Sequence, residues 1–437
     1  MGTLYLLRTI TCAGDDQTFF ASFRGANTRS GEPETFYFTP ILELIYFFVI
    51  LVGRGTHVIG SRPSPPESQR DEFADSKPDP GAKRKKTMHV TKIYWPEESR
   101  KSEIDILQEA ERRGGDFPLI SDHIPKFKCY VRPELLVCST TSIRQFTELD
   151  SPSPRTLRII VFPKLVPIKC LGRDKMLKAF TDCFVGEFGA LHDSRTVLTL
   201  TLDHFCLWQI GVRHGDASVE NLMYDPEPGK GILNDFDLAR LADQKGQSAR
   251  ENTGTIPFMA LDLLSEEGFG KIPRRYRHEA EAFVWVLIYI CGTACERDGK
   301  VKAVTPSPFK EWSCMDWNLC RGYKFDPEIR HLSLPVHNQT KILLVDLHSL
   351  WVDRYLHQKS SAIPRGNIVE FEDWSSDIPV VSKPRSEYEE LSGLQTFARV
   401  MKAFLERLEI GSSDYEYIME LTKEVKRWYQ MMESHHM

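Results

Sequence analysis

Short apolar runs separated by turn residues mark the centre of this chain. Residues 222–224 and 231–233 are apolar, and the segment between them, DPEPGK, is rich in Pro and Gly. Because Pro and Gly favour turns, the pattern predicts a β-hairpin. Asn221 precedes the first strand and Asp235 follows the second, so we expect the hairpin to bring these two side chains together.

A strand and a helix are predicted further upstream. MHVTKIYW, residues 88–95, alternates so that Lys92 shares one strand face with Val90 and Tyr94. Pro96 follows, at a position where a helix can begin. This sequence therefore places a buried lysine at the end of a strand that leads directly into a helix.

The predicted helix extends from about residue 97 to residue 113. Glu103 shares its face with the apolar residues Ile106, Leu107 and Ala110, and we expect it to point inward. Glu109 shares its face with charged residues and is expected to point to water. We therefore pair Lys92 with Glu103; the alternative is a solvated Glu103 beside Lys101.

Three helices are predicted in the second half of the chain. Residues 275–290, RYRHEAEAFVWVLIYI, begin polar and become apolar on every face, as is typical of a helix in the centre of a large domain. Residues 396–408 and 415–432 also have helical spacing. Trp351, Trp374 and Trp428 fit either a core or a partner-facing position.

Three other segments have distinctive compositions. Residues 41–52 form an apolar run that contains Glu43, too short to span a membrane and predicted to be a buried strand. Residues 61–86 are rich in Pro, Ser and charge, which predicts a disordered insertion. Residues 184–200 combine glycines with β-branched residues, so they are either an unusual loop or an intron read as protein.

Composition narrows the class of protein. The chain has 437 residues, 41% of them hydrophobic, which is enough for one or two sizeable cores. A net charge of −5 gives no reason to expect nucleic acid or a membrane as partner. The ten cysteines include no CxxC pair and are typical of reduced thiols in a cytoplasmic or nuclear protein.

Three polar residues have a spacing that resembles the protein-kinase signature HRDLxxxxN followed by DFG. Asp216 in the triplet HGD is followed five residues later by Asn221, and Asp235 opens the triplet DFD fourteen residues beyond that. An amide and a carboxylate side by side can hold Mg²⁺ against ATP phosphates, and Asp216 can accept a hydroxyl proton. Ordinary turn chemistry explains either triplet alone but not their joint spacing.

The combined motifs resemble those of one family. GRGT, TKIYWPEESRKSE, HGDASVENLM, LNDFDLA, TGTIPFMALDLL and YRHEAEAF occur in the order seen in the fungal-type protein kinase family, over about residues 52 to 290. In TGTIPFMALDLL, Ala260, Leu261 and Asp262 occupy the positions of the kinase APE triplet. The resemblance rests on the order of the motifs and not on any single one.

The resemblance implies a role for each candidate residue. Lys92 contacts the ATP phosphates, Glu103 positions Lys92, Asp216 is the base, and Asn221 and Asp235 hold Mg²⁺. The nucleotide-binding residues are completed by Gly53, Gly55 and Val58, in VGRGTHV, a shortened phosphate-covering loop. His214 is expected to support the loop by packing and hydrogen bonding.

The resemblance also implies an architecture. We expect an α+β, bilobal protein kinase-like fold with a small β-rich N-lobe and a larger helical C-lobe. The predicted parts are an N-terminal flank at 1–40, the N-lobe at 41–162, the C-lobe at 163–345 and a C-terminal helical extension at 346–437.

Departures from the common pattern leave the acceptor open. Ser218 stands where protein kinases often have a lysine, and HGD replaces HRD as in small-molecule kinases of the aminoglycoside and choline type. The expected substrate is a Ser or Thr hydroxyl of a protein, with a small alcohol or a catalytically weak pseudokinase scaffold as alternatives. Because Gly215 replaces the arginine that pairs with a phosphorylated activation loop, we expect activity without that phosphorylation.

Overall fold

Two compact units make up the chain in the computed structural model. The described residues are 21–27, 33–38, 44–47, 56–63, 89–114, 120–130, 154–184, 203–243, 254–265, 272–297, 300–313, 316–325, 338–361, 400 and 402–403. The first unit comprises Met1–Gln108, Ile124–Val166 and Asp225–Pro228, and the second comprises Glu109–His123, Pro167–Tyr224 and Gly229–Met437. Strands dominate the first and helices the second, so the predicted α+β class is confirmed.

An antiparallel sheet of seven strands forms the first unit. Its strands are β1 (Ala21–Asn27), β2 (Pro33–Phe38), β3 (Leu44–Phe47), β4 (His57–Pro63), β5 (His89–Tyr94), β6 (Cys129–Tyr130) and β7 (Arg158–Pro163). The order is β2-β1-β6-β7-β5-β4-β3. Because β2 also pairs with β4, the sheet closes on itself. The predicted strand of Lys92 is therefore confirmed as β5, in the interior of this sheet.

Helix α1 (Glu103–Arg113) begins later than the sequence predicts. Residues 96–98 pair instead with residues 154–156, where Thr156 N donates to Pro96 O at 3.1 Å. Ser102 then caps the helix, because Asp105 N donates to its Oγ at 3.0 Å and Ser102 N donates to the Asp105 carboxylate at 3.2 Å. A long-range pairing thus takes residues 97 and 98 out of the predicted helix, which begins six residues later than expected.

The second unit contains most of the helices. Its elements, with β8 at its edge, are α2 (Ile120–His123), β8 (Val166–Pro167), α3 (Arg173–Phe184), α4 (Asp203–Gln209), β9 (Val212–Arg213), β10 (Leu222–Asp225), β11 (Lys230–Leu233), β12 (Arg240–Leu241), α5 (Tyr276–Thr293), β13 (Ala294–Arg297), β14 (Lys300–Ala303), α6 (Trp317–Phe325) and α7 (Asn338–Ser361). Short 3₁₀ turns occur at Ile168–Cys170, Phe236–Leu238, Ile256–Phe258 and Lys310–Ser313. Strands β10 and β11 confirm the predicted hairpin.

Helix α5 is the centre of the second unit, as its apolar sequence predicts. Nearly all of its residues are buried. Phe283 packs against the rings of Phe180, Phe184 and His204, at centroid distances of 6.1, 5.2 and 4.7 Å. The charged residues of α5 lie only in its first turns, and they are buried there together.

The structure departs from the predicted division into parts. Residues 21–27 and 33–38, expected in an N-terminal flank, form β1 and β2 of the large sheet. Residues 61–63, expected in a disordered insertion, belong to β4, and α7 crosses the expected boundary at residue 346. Trp351 is buried in α7, at 3% exposure, and is therefore a core residue.

Several predictions fall on residues that the structure does not describe. They concern Gly53, Gly55, Trp374 and Trp428, the segments 64–86 and 415–432, and nearly all of residues 184–200 and 396–408. Among the helices that are described, none is both long and apolar enough to cross a membrane.

Gly231, at the start of β11, allows a close approach that offers a test of the packing. A Cβ at this position would overlap the carbonyl oxygen of Ala179 and lie 2.8 Å from Asp182 Cβ. We expect Gly231→Ala to lower the free energy of unfolding by about 1 to 3 kcal/mol. Gly322 in α6 is the matched control, since a Cβ there meets no atom within 4 Å.

Urea denaturation measures both variants. Gly322→Ala should raise the free energy of unfolding by up to about 1 kcal/mol, because alanine favours helix over glycine. An unchanged midpoint for Gly231→Ala would contradict the close approach of β11 and α3.

Candidate active site

A buried ion pair joins β5 to α1 within the first unit. Lys92 Nζ donates to Glu103 Oε2 at 2.7 Å, and the two residues are 6% and 1% exposed. Val58 lies opposite Lys92 in the register of β4 and β5. This is the pair that the spacing of the sequence predicts, and burial makes each charge depend on the other, since a lone buried charge is costly.

Glu109, the other acidic candidate on α1, makes different contacts. Its carboxylate accepts hydrogen bonds from Arg112 and Arg113 at 2.6 to 2.8 Å. These bonds lower the pKa of Glu109 to about 2. Glu109 is thus engaged at the helix surface, and Glu103 remains the partner of the lysine.

Asp216 lies in the second unit, on the loop between β9 and β10. Thr255 donates to its Oδ1 from both the backbone N and Oγ1, each at 2.8 Å. Asn221 Nδ2 donates to the Asp216 backbone oxygen at 2.8 Å and approaches Oδ2 at 3.4 Å. These donors fix the orientation of the carboxylate.

The β10–β11 hairpin places Asn221 and Asp235 at its open end. Asn234 N donates to Asn221 O at 2.8 Å, which ties the two chain ends together. Because the Asn221 amide nitrogen is directed at Asp216, its amide oxygen is the atom left to act as a ligand. Asp235 has a φ of 64°, a left-handed conformation that is uncommon for non-glycine residues and often occurs at functional sites.

His214 supports the loop as a neutral side chain. Its Nε2 donates to Asn234 O at 2.9 Å, and its Nδ1 accepts from Asp216 N at 3.3 Å. One neutral tautomer satisfies both bonds. Burial lowers the pKa of His214, and its ring packs edge-on against Phe236 at 4.8 Å. The geometry therefore gives His214 a supporting position next to Asp216.

Glu279, in the first turn of α5, anchors the same loop from below. Its Oε1 accepts from Gly215 N at 3.2 Å, and its Oε2 accepts from His204 Nε2 at 2.6 Å. Burial alone would raise the pKa of Glu279, but the hydrogen bond and charge of His204 and the charge of Arg274 lower it to about 2. A buried carboxylate thus positions the residue next to Asp216.

The segment that follows Thr255 is held by a second buried glutamate and a buried lysine. Glu281 Oε1 accepts from Leu261 N at 2.7 Å, and Lys324 Nζ donates to Met259 O at 2.6 Å. Burial, with the nearby charge of Asp262, raises the pKa of Glu281 to about 7. Burial lowers the pKa of Lys324 to about 8. Both side chains fix backbone atoms of this segment.

Asp262, at the third position of the APE-like triplet, is held at the start of α5. Its Oδ2 lies 2.5 Å from Arg277 Nη1 and 3.0 Å from His278 Nε2. Burial would raise the pKa of Asp262, but the positive charge and hydrogen bonds of these two side chains hold it below its usual range. The triplet therefore has an ionic anchor of its own.

The candidate residues divide between the two units. Lys92, Glu103 and Val58 lie in the first, and Asp216, Asn221 and Asp235 lie in the second. The contributors that were missed from the sequence include Glu279 and Lys324. The polar start of the otherwise apolar α5 is the signal for Glu279; Lys324 has none, because only tertiary packing buries it.

One family model matches the stretch that contains the loop, the hairpin and most of α5. It is described as fungal protein kinase, and it covers residues 202–291. The motif-based resemblance to this family is confirmed there. We refer to residues 202–291 as the fungal-kinase region. The match supports a phosphotransferase and leaves the acceptor open.

Solved structures include two loosely similar kinases. The ROP18 kinase domain in complex with AMP-PNP and sucrose is 11% identical, with a TM-score of 0.36, over 75% of this chain and 77% of that chain. The Cydia pomonella granulovirus kinase PK-1 is 12% identical, with a TM-score of 0.37, over 68% of this chain and 84% of that one. No curated protein matches the chain.

We expect the buried carboxylate of Glu279 to make the stability of the folded protein depend on pH. Because the pKa of folded Glu279 is depressed from 4.5 to about 2, its contribution is complete above pH 4.5 and is lost as the pH falls through 2. We expect Glu279→Gln to cost about 3 to 5 kcal/mol at pH 7, as when one partner of a buried pair is removed. The difference from wild type should shrink below pH 4.5.

Urea denaturation over a pH series measures this effect. Glu220→Gln is the control, because its carboxylate is exposed and pairs with Lys169 at the surface. A pH-independent difference for Glu279→Gln would show that the charge of Glu279 is not what stabilises the loop.

Proposed function

We propose that this protein transfers the γ-phosphoryl group of ATP to a Ser or Thr hydroxyl of a protein substrate. The observation that carries the proposal is the Asp216 carboxylate, oriented by Thr255 and Asn221 and supported by a neutral histidine. A fixed carboxylate of this kind can accept the proton of an incoming hydroxyl. The family match over residues 202–291 supports the same chemistry.

In the proposed mechanism, Asp216 orients the acceptor hydroxyl and takes its proton as the phosphoryl group is transferred. Lys92 binds the α and β phosphates, and Glu103 holds its ammonium group at 2.7 Å. Gly53, Gly55 and Val58 are proposed to cover the phosphates. Fixing the reactants in this way supplies most of the catalysis in phosphoryl transfer.

The residues at the hairpin fit a magnesium ion that is shared with the nucleotide. Mg²⁺ prefers oxygen ligands and is commonly held by one or two protein side chains together with phosphates. The Asn221 amide oxygen and the Asp235 carboxylate are such ligands. Among the described residues, no group of three His, Cys, Asp or Glu side chains forms a metal site. The ion would neutralise charge on the phosphates.

The proposal also specifies the acceptor of the phosphoryl group. Ser218, where many protein kinases have a lysine, is 4% exposed and brings no positive charge to the loop. This observation favours a small alcohol as the second candidate. Transfer of radiolabelled phosphate to casein, set against a panel of aminoalcohols, separates the two; transfer to neither would indicate a pseudokinase scaffold. A cytoplasmic or nuclear location, without nucleic acid or membrane partners, belongs to the same proposal.

Nucleotide binding is the first test of the assigned residues. Mg·ATP at 100 times its Kd should stabilise the folded protein by about 2.7 kcal/mol and raise its melting temperature. Lys92→Met and Asp235→Asn should each abolish most of this shift in a thermal denaturation assay. Full shifts in both variants would refute the assignment of these two residues.

Asp216→Asn tests the base separately from binding. The variant keeps the size of the side chain but removes its charge, so the ATP-dependent thermal shift should survive while kcat falls by about 10² to 10⁴. Glu220→Gln is the control, because Glu220 is an exposed carboxylate on the same loop that pairs with Lys169. Retained turnover in Asp216→Asn would place the base elsewhere.

A further inference from the structure

Two glycines with positive φ lie against one arginine in the fungal-kinase region. Gly215 has a φ of 82° and Gly254 a φ of 141°. A Cβ built on Gly215 would lie 3.0 Å from Arg274 Nη1, and one built on Gly254 would lie 3.3 Å from Arg274 Nη2. The guanidinium of Arg274 thus occupies the space into which side chains at both positions would extend.

Arg274 also binds the catalytic loop directly. Its Nη1 donates to the backbone oxygen of Gly215. Glu279, five residues further along, accepts from the backbone N–H of the same glycine at 3.2 Å. The segment that opens α5 therefore holds both backbone groups of Gly215. Arg274 and Glu279 also attract each other, since the arginine charge helps to lower the pKa of Glu279.

Gly254 directly precedes the residue that binds the Asp216 carboxylate. Thr255 follows Gly254 and donates twice to Asp216 Oδ1 at 2.8 Å, although its own side chain is exposed. Exposed hydrogen bonds of this kind compete with water and contribute little stability by themselves. The Arg274 guanidinium fills the space beside Gly254, 3.3 Å from where a Cβ would stand, so residues 254–255 have a charged neighbour on this side.

We propose that Arg274 is a positioning residue that keeps residues 254–255 against the catalytic loop, so that Thr255 stays bound to Asp216 without an added phosphate group. The guanidinium comes from the segment before α5 and stands where a longer side chain at position 215 would extend. Arg274 supplies a fixed positive charge here. The arginine of an HRD triplet, by contrast, forms its ion pair only after the activation loop is phosphorylated. The inference rests on the proposed function, because it concerns the regulation of the same site.

Arg274→Gln, Arg274→Lys and the control Arg275→Gln test the proposal. Arg275 is the adjacent arginine, with an exposed side chain, so its variant removes the same charge without touching Gly215. With casein and radiolabelled ATP, we expect Arg274→Gln to lower kcat about 10- to 100-fold, the cost of a small misplacement of catalytic groups. Its KM for ATP should stay within about twofold of wild type, since no ATP contact is removed.

Two further tests separate a positioning role from a general effect on stability, and a third tests independence from phosphorylation. Arg274→Lys should show an intermediate kcat, because lysine donates to Gly215 O but lacks the planar fork that spans both glycines. Added methylguanidinium should restore part of the activity of Arg274→Ala, a rescue that a damaged core would not allow. Phosphatase treatment should leave the wild-type kcat unchanged.

Hydrogen–deuterium exchange tests the same geometry without relying on turnover. The amides of residues 211–219 and 254–259 should exchange faster in Arg274→Gln than in wild type, whereas Arg275→Gln should match wild type. If wild type transfers no phosphate to casein, the proposed protein-kinase function fails while the exchange result still decides the role of Arg274. Wild-type exchange and kcat in both Arg274→Gln and Arg274→Lys would overturn the proposal, as would a kcat lost on phosphatase treatment.

Discussion

The position of the loop that carries Asp216 depends on the buried carboxylate of Glu279. It lies in the first turn of α5, and it binds Gly215 on one oxygen and His204 on the other. A buried charge is tolerated only when it is paired and hydrogen-bonded, and here both conditions are met by groups from separate segments. Asp216 is adjacent to Gly215 in the chain, so the hydrogen bond between Gly215 and Glu279 also fixes the position of Asp216.

The first turns of α5 extend the same principle to the neighbouring segment. Arg277 and His278 hold Asp262, and Glu281 holds the backbone of Leu261. A single helix therefore fixes both the loop that carries Asp216 and the segment that follows Thr255. Because the rest of α5 is apolar and buried, packing determines the orientation of the helix. Packing therefore also fixes the position of its polar first turns.

Local patterns predicted the elements whose contacts are close in sequence. The hairpin was predicted because its turn residues separate two short apolar runs, and the pairing of Lys92 with Glu103 followed from helix periodicity. The start of α1 was wrong, because residues 96–98 pair with residues 154–156, which no local pattern reports. Arg274 was missed for the same reason: its contact with Gly215 joins residues 59 positions apart.

Glu281 and Lys324 exchange protons with the solvent in opposite directions when the protein folds. Folding raises the pKa of the acid to about 7 and lowers that of the base to about 8, so near pH 7.5 the acid takes up about as much proton as the base releases. The stabilising contribution of Glu281 is lost as the pH rises through 7, and that of Lys324 is lost as it falls through 8. Both groups therefore contribute least between these values, while the net charge of the pair barely changes on folding.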